Sequence, residues 1–268
     1  MKKLTPKKRE ARRLKRNKAF WKRYFTSRGS LPGIIVLGAP KCGTTSLYDY
    51  LCQHESLSQP ECKEICYFAG PASNKSLHWY KTNFIESAQG KPSFDVSPPY
   101  LYSKKAAKRM KKIVPHAKFI ILLRNPVDRL YSHYNFIKKN RNLDTTPFKR
   151  TFEELVVKLF RFGLERCPFS WINKSYYLPN IQTWFDIFPD KSQTLVLKAE
   201  DFFTTPQGIF NDVCDYAGVP IQDVDVTAKK VGKYKAVMNM DTRKKLEDVY
   251  REHNKELEEF LGQKFNWY

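Results

Sequence analysis

No uninterrupted apolar run in this 268-residue chain approaches the roughly 18 residues that a membrane-spanning helix needs, so the sequence predicts no membrane span. The N-terminus is basic and carries no apolar stretch, which gives no secretory signal. Cysteine is sparse. The six residues Cys42, Cys52, Cys62, Cys66, Cys167 and Cys214 are scattered, which excludes a dense disulfide scaffold. Only Cys62 and Cys66 are close, and no second Cys or His pair stands at zinc spacing, so no metal site is expected. Neither a repeat nor a low-complexity linker divides residues 31–268. These absences predict a soluble, cytoplasmic protein with reduced thiols, a single disulfide remaining open.

Acids are also in short supply, 27 against 48 Lys and Arg, for a formal net charge of +21. Residues 1–28 hold 13 Lys/Arg and one acid, Glu10, and so carry 12 of those charges. The body keeps an excess of its own, which points to an anionic ligand or serves solubility. The expected division is a basic extension over 1–30 and one domain over 31–268. In the extension, Leu14, Trp21 and Phe25 are spaced as one helical stripe. Such a helix suits a membrane surface or a polyanion, or else packs its aromatics on the body.

Gly33–Gly38 is a continuously apolar, β-branched run, as in a buried parallel strand. Thr44 to Gln53 reads as a helix with Leu47 and Leu51 on one side. Residues 92–98 read as a short strand, 117–123 as a second buried strand ending at Arg124-Asn125-Pro126, and 192–202 as a further strand. Helical periodicity marks 104–114, 127–140 (Val127, Leu130, Tyr134 and Ile137 inward) and 241–261 (Leu246, Val249, Leu257 and Leu261 inward). The pattern defines an α/β fold: one domain with a central parallel sheet flanked by helices. Ligands of such sheets bind at the carboxyl ends of strands, where Gly38–Thr45 and Arg124 fall.

The stretch "GAPKCGTT" has the length of a nucleotide phosphate loop, but Thr44 stands where the lysine of that loop belongs and Lys41 lies in mid-loop. Glycines and a helix N-terminus still cradle an anion. The lysine that reaches toward β- and γ-phosphates is missing, and no apolar strand ends in an acid suited to Mg²⁺. An ATP-dependent kinase and a nucleic-acid-binding protein using the basic tail are the rival classes.

"GAPKCGTTSL" resembles the 5′-phosphosulfate loop of sulfotransferases that use 3′-phosphoadenosine 5′-phosphosulfate (PAPS), and "ILLRNPVDRLYSHY" resembles their 3′-phosphate segment. Similarity continues through "EICYF", "SPPYLYS", "SYYLPNIQTWFDIFP" and "FNWY", and is nearest to carbohydrate (heparan and chondroitin type) sulfotransferases. The resemblance implies the P-loop-like PAPS sulfotransferase fold, PAPS as sulfate donor, 3′-phosphoadenosine 5′-phosphate (PAP) as product, and no metal requirement. It places the donor on Lys41, Cys42, Gly43, Thr44, Thr45, Ser46, Arg124 and Ser132, with Tyr177 beside it. Lys230, Gly232 and Lys233 of "KKVGKYK" resemble a loop closing over the nucleotide, or form a solvated cluster. Lys41 would stabilise the departing phosphate.

Glu64, in "KEICYF", matches the family's general base, with Glu61, His54 and His133 as alternatives. Asp95, Trp79 and Cys66 are the acceptor-side candidates. Asp95 orients Lys41 or the acceptor, or caps the turn at Ser97; Trp79, Tyr80, Tyr100, Tyr102 and Tyr177 stack on a ligand or fill the core. Cys66 stands where 3-O-sulfating heparan enzymes have histidine, and Val96 where those and the N-sulfating enzymes have lysine. The acceptor is therefore a carbohydrate hydroxyl or a small alcohol. Animal enzymes of this kind are anchored in the Golgi lumen, the alternative location if an anchor lies outside this sequence.

Overall fold

The computed structural model describes residues 18–84, 90–140, 151–166, 170–227 and 237–267. The donor-loop candidates Lys230, Gly232 and Lys233, together with Leu14 and most of the basic tail, lie outside these residues.

The chain runs helix α1 (residues 18–26), β1 (Ile34–Gly38), α2 (Thr44–Leu51), α3 (Leu77–Lys81), β2 (Phe94–Val96), a 3₁₀ turn (Tyr100–Tyr102), α4 (Lys104–Ile113), β3 (Lys118–Leu123) and α5 (Pro126–Asn140). It continues with α6 (Phe152–Arg166), α7 (Ser170–Asn173), α8 (Leu178–Ile187), β4 (Thr194–Lys198), α9 (Ala199–Thr204), α10 (Pro206–Ala217) and α11 (Met240–Leu261). The sheet is parallel in the order β2-β1-β3-β4. β1 and β2 are buried at every position, and β3 at all but Lys118, because helices cover both faces of a parallel sheet. The chain passes from β1 to β2 on one side, then returns to β3 on the other. The crevice between the carboxyl ends of β1 and β3 is the switch point where such sheets bind ligands.

The strand expected over 192–202 is shorter. Lys198 ends β4, and Ala199 opens α9, which carries Glu200 and Asp201 in its first turn. The inward face of α5 is as expected, with Val127, Leu130, Tyr134 and Ile137 buried in a second core cluster formed with α6 and α11. On α11 the buried stripe is Leu246, Tyr250, Asn254, Leu257 and Glu258, while Val249 and Leu261 are only partly covered. Glu258 is buried with purpose: its Oε1 accepts the amides of Phe265 and Asn266 at 2.7 and 2.9 Å and folds the C-terminal tail back.

Trp21 and Phe25 share one face of α1, with ring centres 6.3 Å apart, and that face points outward. Phe20 is the aromatic that packs inward, its ring 5.9 Å from Trp79, whereas Trp21 and Phe25 are 51% and 78% exposed. An ion pair from Arg23 to Glu61 and a hydrogen bond from His78 Nε2 to the Tyr24 carbonyl (2.7 Å) tie α1 to the body. Among the described residues no helix is long and apolar enough to cross a membrane.

Candidate active site

The loop after β1 is shaped by its two glycines. Gly38 has φ 154°, and a Cβ there would lie 3.0 Å from the Pro98 carbonyl oxygen. Gly43 has φ 95°, and a Cβ there would meet Phe203 at 3.0 Å and Phe202 at 3.2 Å. The loop is thus wedged between the 98–102 turn on its Gly38 side and α9 on its Gly43 side. Gly43 caps α2 without any side-chain hydrogen bond and with no acid in the first turn. By contrast Ser76, Ser103 and Asn239 cap α3, α4 and α11 with their own oxygens. The start of α2, like those of α8, α9 and α10, has no side-chain cap, and its helix dipole favours an anion there. Thr44 is buried, Thr45 and Ser46 are half-buried at this opening, and Lys41 stands at φ 74° with Nζ 4.2 Å from the Phe136 ring centre.

Arg124 emerges from β3 beside this cradle. Its Nη1 donates to the Lys41 carbonyl at 3.3 Å, and its guanidinium lies 5.4 Å from the Phe203 ring. The two acids that could have neutralised it are engaged elsewhere, Asp128 by Arg243 and Asp201 by Lys198 at 3.8 Å. Ser132, two turns into α5, is 6% exposed, and its hydroxyl engages no group among the described residues.

Cys42 belongs to the loop, but its thiol and the Tyr177 side chain are both buried behind it. Tyr177 is buried, and its hydroxyl donates to the Arg124 carbonyl at 2.9 Å. Burial pushes the Cys42 thiol up to about 11, and its Sγ lies 3.9 Å from Tyr177 Oη. The C-terminal tail supports this wall. Trp267 Nε1 donates to Glu200 Oε2 at 3.1 Å, and Glu200 Oε1 accepts the Asn125 amide at 2.8 Å, next to Arg124.

Opposite the loop, Glu64 is exposed at φ 61°. Its amide donates to the Val96 carbonyl at 3.1 Å, which hangs the segment on the end of β2. Lys63, which the sequence did not single out, joins the two sides of the site. Its Nζ reaches Thr45 Oγ1 at 3.1 Å and Glu64 Oε1 at 3.0 Å, joining the carboxylate to the phosphate cradle. The only signal for it was its place beside Glu64 in the sequence.

The alternative bases are committed. Glu61 holds Arg23. His54 donates from Nε2 to the Pro220 carbonyl at 2.7 Å and accepts the Ser56 amide on Nδ1 at 3.1 Å. His133 is driven down to about 3 by burial first, then by the charges of Arg129, Lys174 and Lys41. It stays neutral and is a poor proton acceptor.

Asp95 is also corrected. It is wholly buried and touches neither Lys41 nor solvent. Its Oδ1 accepts from Ser97 at 2.7 Å, and its Oδ2 from Tyr80 and Tyr100 at 3.0 and 2.9 Å. Ser97 Oγ in turn accepts the Cys66 amide at 3.1 Å, and Tyr100 Oη accepts the Tyr67 amide at 2.8 Å. Asp95 therefore fixes the backbone that presents Glu64 instead of binding substrate, and it performs the turn capping left open above. Tyr80 and Tyr100 belong to the core, Trp79 is covered on one side by Phe20, and the half-buried Cys66 thiol is pushed up to about 11, chiefly by burial. Val96 is buried inside β2. Among the described residues no group of three or more His, Cys, Asp or Glu could hold a metal ion.

Burial raises the Asp95 carboxyl from 3.8 to about 6, partly offset by its three hydroxyl donors. Well below pH 3.8 both states are protonated. As pH rises from about 4 to 6 the unfolded chain ionises first, so stability falls through that window, by on the order of 3 kcal/mol, and is flat above it. Asp95→Asn should flatten this part of the urea midpoint against pH. An unchanged slope in the variant would mean that Asp95 does not titrate in that window.

The matches to known proteins agree with this geometry. Residues 31–261 match the sulfotransferase domain family, and the chain belongs to it. Its described residues form the single α/β domain of that family. It is 29% identical over 283 residues to a bifunctional heparan sulfate N-deacetylase/N-sulfotransferase 1 of Xenopus tropicalis and 28% identical to the Homo sapiens form. Each match covers 92% of this chain but 31% of the relative, so the chain spans about a third of those proteins. A sulfotransferase from Alicyclobacillus acidocaldarius superposes with TM-score 0.73 at 26% identity, over 89% of this chain and 99% of that one. Mouse sulfotransferase SULT7A1, solved with PAP, shares the fold at TM-score 0.52 and 13% identity, over 91% and 92% of the two chains.

Proposed function

We propose that the chain transfers a sulfuryl group from PAPS to a hydroxyl on a carbohydrate. The observation that carries this is the uncapped start of α2 beside an Arg124 that pairs with no acid among the described residues, at the switch point of the sheet. The two are suited to a nucleotide with separate 5′ and 3′ anions. The amides of Gly43 to Ser46 receive the 5′-phosphosulfate, and Arg124 with the Ser132 hydroxyl receives the 3′-phosphate. The two glycines fit such a ligand, since side chains at either position would crowd the neighbouring turn or α9.

Glu64 takes the proton of the acceptor hydroxyl as its oxygen bonds to sulfur. The bond from sulfur to the 5′-phosphate oxygen breaks, and the electron pair stays on the phosphate. Lys41 and the α2 amides meet the charge that builds there. Lys63 sits between base and cradle and holds Glu64 over the reacting centre. The heparan sulfate activity named for the relatives supports a carbohydrate acceptor, and Trp21, Phe25 and the basic tail add a surface for a polyanion.

Arg124→Ala tests the donor site in isolation. Removing a charged partner of a bound phosphate should weaken PAP binding by about 2 kcal/mol or more, roughly thirtyfold, in a calorimetric titration. The thermal midpoint should stay near wild type, because the guanidinium makes no ion pair among the described residues and only a 3.3 Å hydrogen bond to the Lys41 carbonyl. PAP affinity within twofold of wild type would remove Arg124 from the site.

A further inference from the structure

Resting on the sulfotransferase reading, we propose that Lys174 forms an anion subsite on the acceptor side of Lys41, which takes a carboxylate or sulfate carried by the glycan next to the reacting hydroxyl. Lys174 follows α7. Its ammonium lies 5.3 Å from the Tyr102 ring centre, and its carbonyl accepts the Tyr102 hydroxyl at 2.8 Å. The next residue, Ser175, accepts from Arg129 Nε at 2.7 Å, and Arg129 Nη1 donates to His133 Nδ1 at 3.1 Å. Arg129 is wholly buried, so it contributes field and position, and Lys174 is the cation that reaches the surface.

Lys174 is half-buried, and no carboxylate pairs with it among the described residues. Burial first, and Arg129 second, lower its pKa. A desolvated ammonium beside a second cation is a costly arrangement unless an anion arrives to complete it. The same His133 feels both Lys174 and Lys41, so this wall adjoins the lysine placed at the departing phosphate.

The position separates this anion from those of the donor. Arg124 is held on the Gly43 side of the loop, over Phe203. Lys174 is held on the opposite side, over the 100–102 turn that packs against Gly38. That turn follows directly on Ser97, which binds the Cys66 amide two residues from Glu64. A sugar with its hydroxyl at Glu64 and Lys41 would therefore extend its chain along Tyr102 toward Lys174. A small neutral alcohol would leave this cation without a partner.

The test uses the full chain loaded with PAP, titrated with heparin, fully desulfated heparin (carboxylates only), carboxyl-reduced heparin (sulfates only) and dextran (neither). Lys174→Met should weaken binding of the anionic glycans by about tenfold or more, and Lys174→Arg should restore most of it. A larger loss with desulfated heparin identifies the anion as a carboxylate, and a larger loss with carboxyl-reduced heparin identifies it as a sulfate. Lys112→Met, an exposed lysine of α4, removes the same charge and should change binding by less than about twofold. PAP affinity should be unchanged in Lys174→Met, and its thermal midpoint should not fall. The proposal is overturned if Lys174→Met binds the anionic glycans like the Lys112 control. It is equally overturned if dextran binds as well as they do, or if PAP affinity drops, which would assign the anion to the donor. Failure of the wild type to bind PAP at all would instead remove the reading beneath it.

Discussion

Glu64→Gln should lower turnover by about two to four orders of magnitude while leaving PAP affinity within about twofold, because general-base catalysis supplies a factor of that size. Glutamine keeps the length and shape of the side chain but accepts no proton at neutral pH. The backbone that presents it is held independently, by the Val96 carbonyl on one side and the Ser97–Asp95 network on the other. The fold therefore has no reason to fail. Lys63 loses its ion pair and keeps its hydrogen bond to Thr45, so the cradle also survives. Transfer of radiolabelled sulfate from PAPS to desulfated heparin, with PAP binding measured in parallel, separates the two effects. Turnover within a few-fold of wild type would put the proton acceptor elsewhere; among the described alternatives, Glu61 and both candidate histidines are already committed to other partners.

Lys41→Met should cost about 100- to 1000-fold in kcat, the usual loss when one preorganised group facing developing charge is removed. PAP affinity should fall less than it does for Arg124→Ala. Methionine keeps most of the length and apolar character of the side chain, whose ammonium lies over Phe136, and it removes only the charge. What is lost is the ammonium at the bond that breaks. Since the charge on the 5′-phosphate grows toward the transition state, the loss should appear mainly in kcat and little in KM for PAPS. A mutant that raises KM with kcat intact would make Lys41 a ground-state phosphate ligand only.

The parts of this molecule written in periodic or contiguous form were legible in the sequence. β1 and β3 are unbroken apolar runs because both faces of a parallel sheet are covered, and the loop between Gly38 and Thr45 announces itself by length and glycine placement. The inward face of α5 follows from 3.6-residue spacing. Tertiary networks leave no such trace. Asp95 looked like an acceptor ligand because an acid before a turn near a site carries no sign of burial, yet the nearby Ser97 and Tyr100 and the more distant Tyr80 close over it with three hydroxyls. Tyr177 and Cys42 lie in the right motifs but point to the back of the loop, which only packing decides. Lys63, Arg129 and Lys174 are single cations in a chain rich in them, and what distinguishes each is the neighbour it meets. The α1 stripe of Trp21 and Phe25 was legible, but not that it faces outward, because the side that docks is set by the Phe20–Trp79 contact and not by the helix alone.

The central claim is that this cradle has exchanged a triphosphate for a nucleotide with a 5′-phosphosulfate and a 3′-phosphate. Calorimetric titration of the full chain with PAP and, separately, with ATP and Mg²⁺ tests it most directly. PAP should bind with micromolar affinity or better, about −8 kcal/mol, and ATP at least about tenfold more weakly because it offers no 3′-phosphate to Arg124 and Ser132. Equal binding of the two nucleotides, or tighter binding of ATP, would contradict the account.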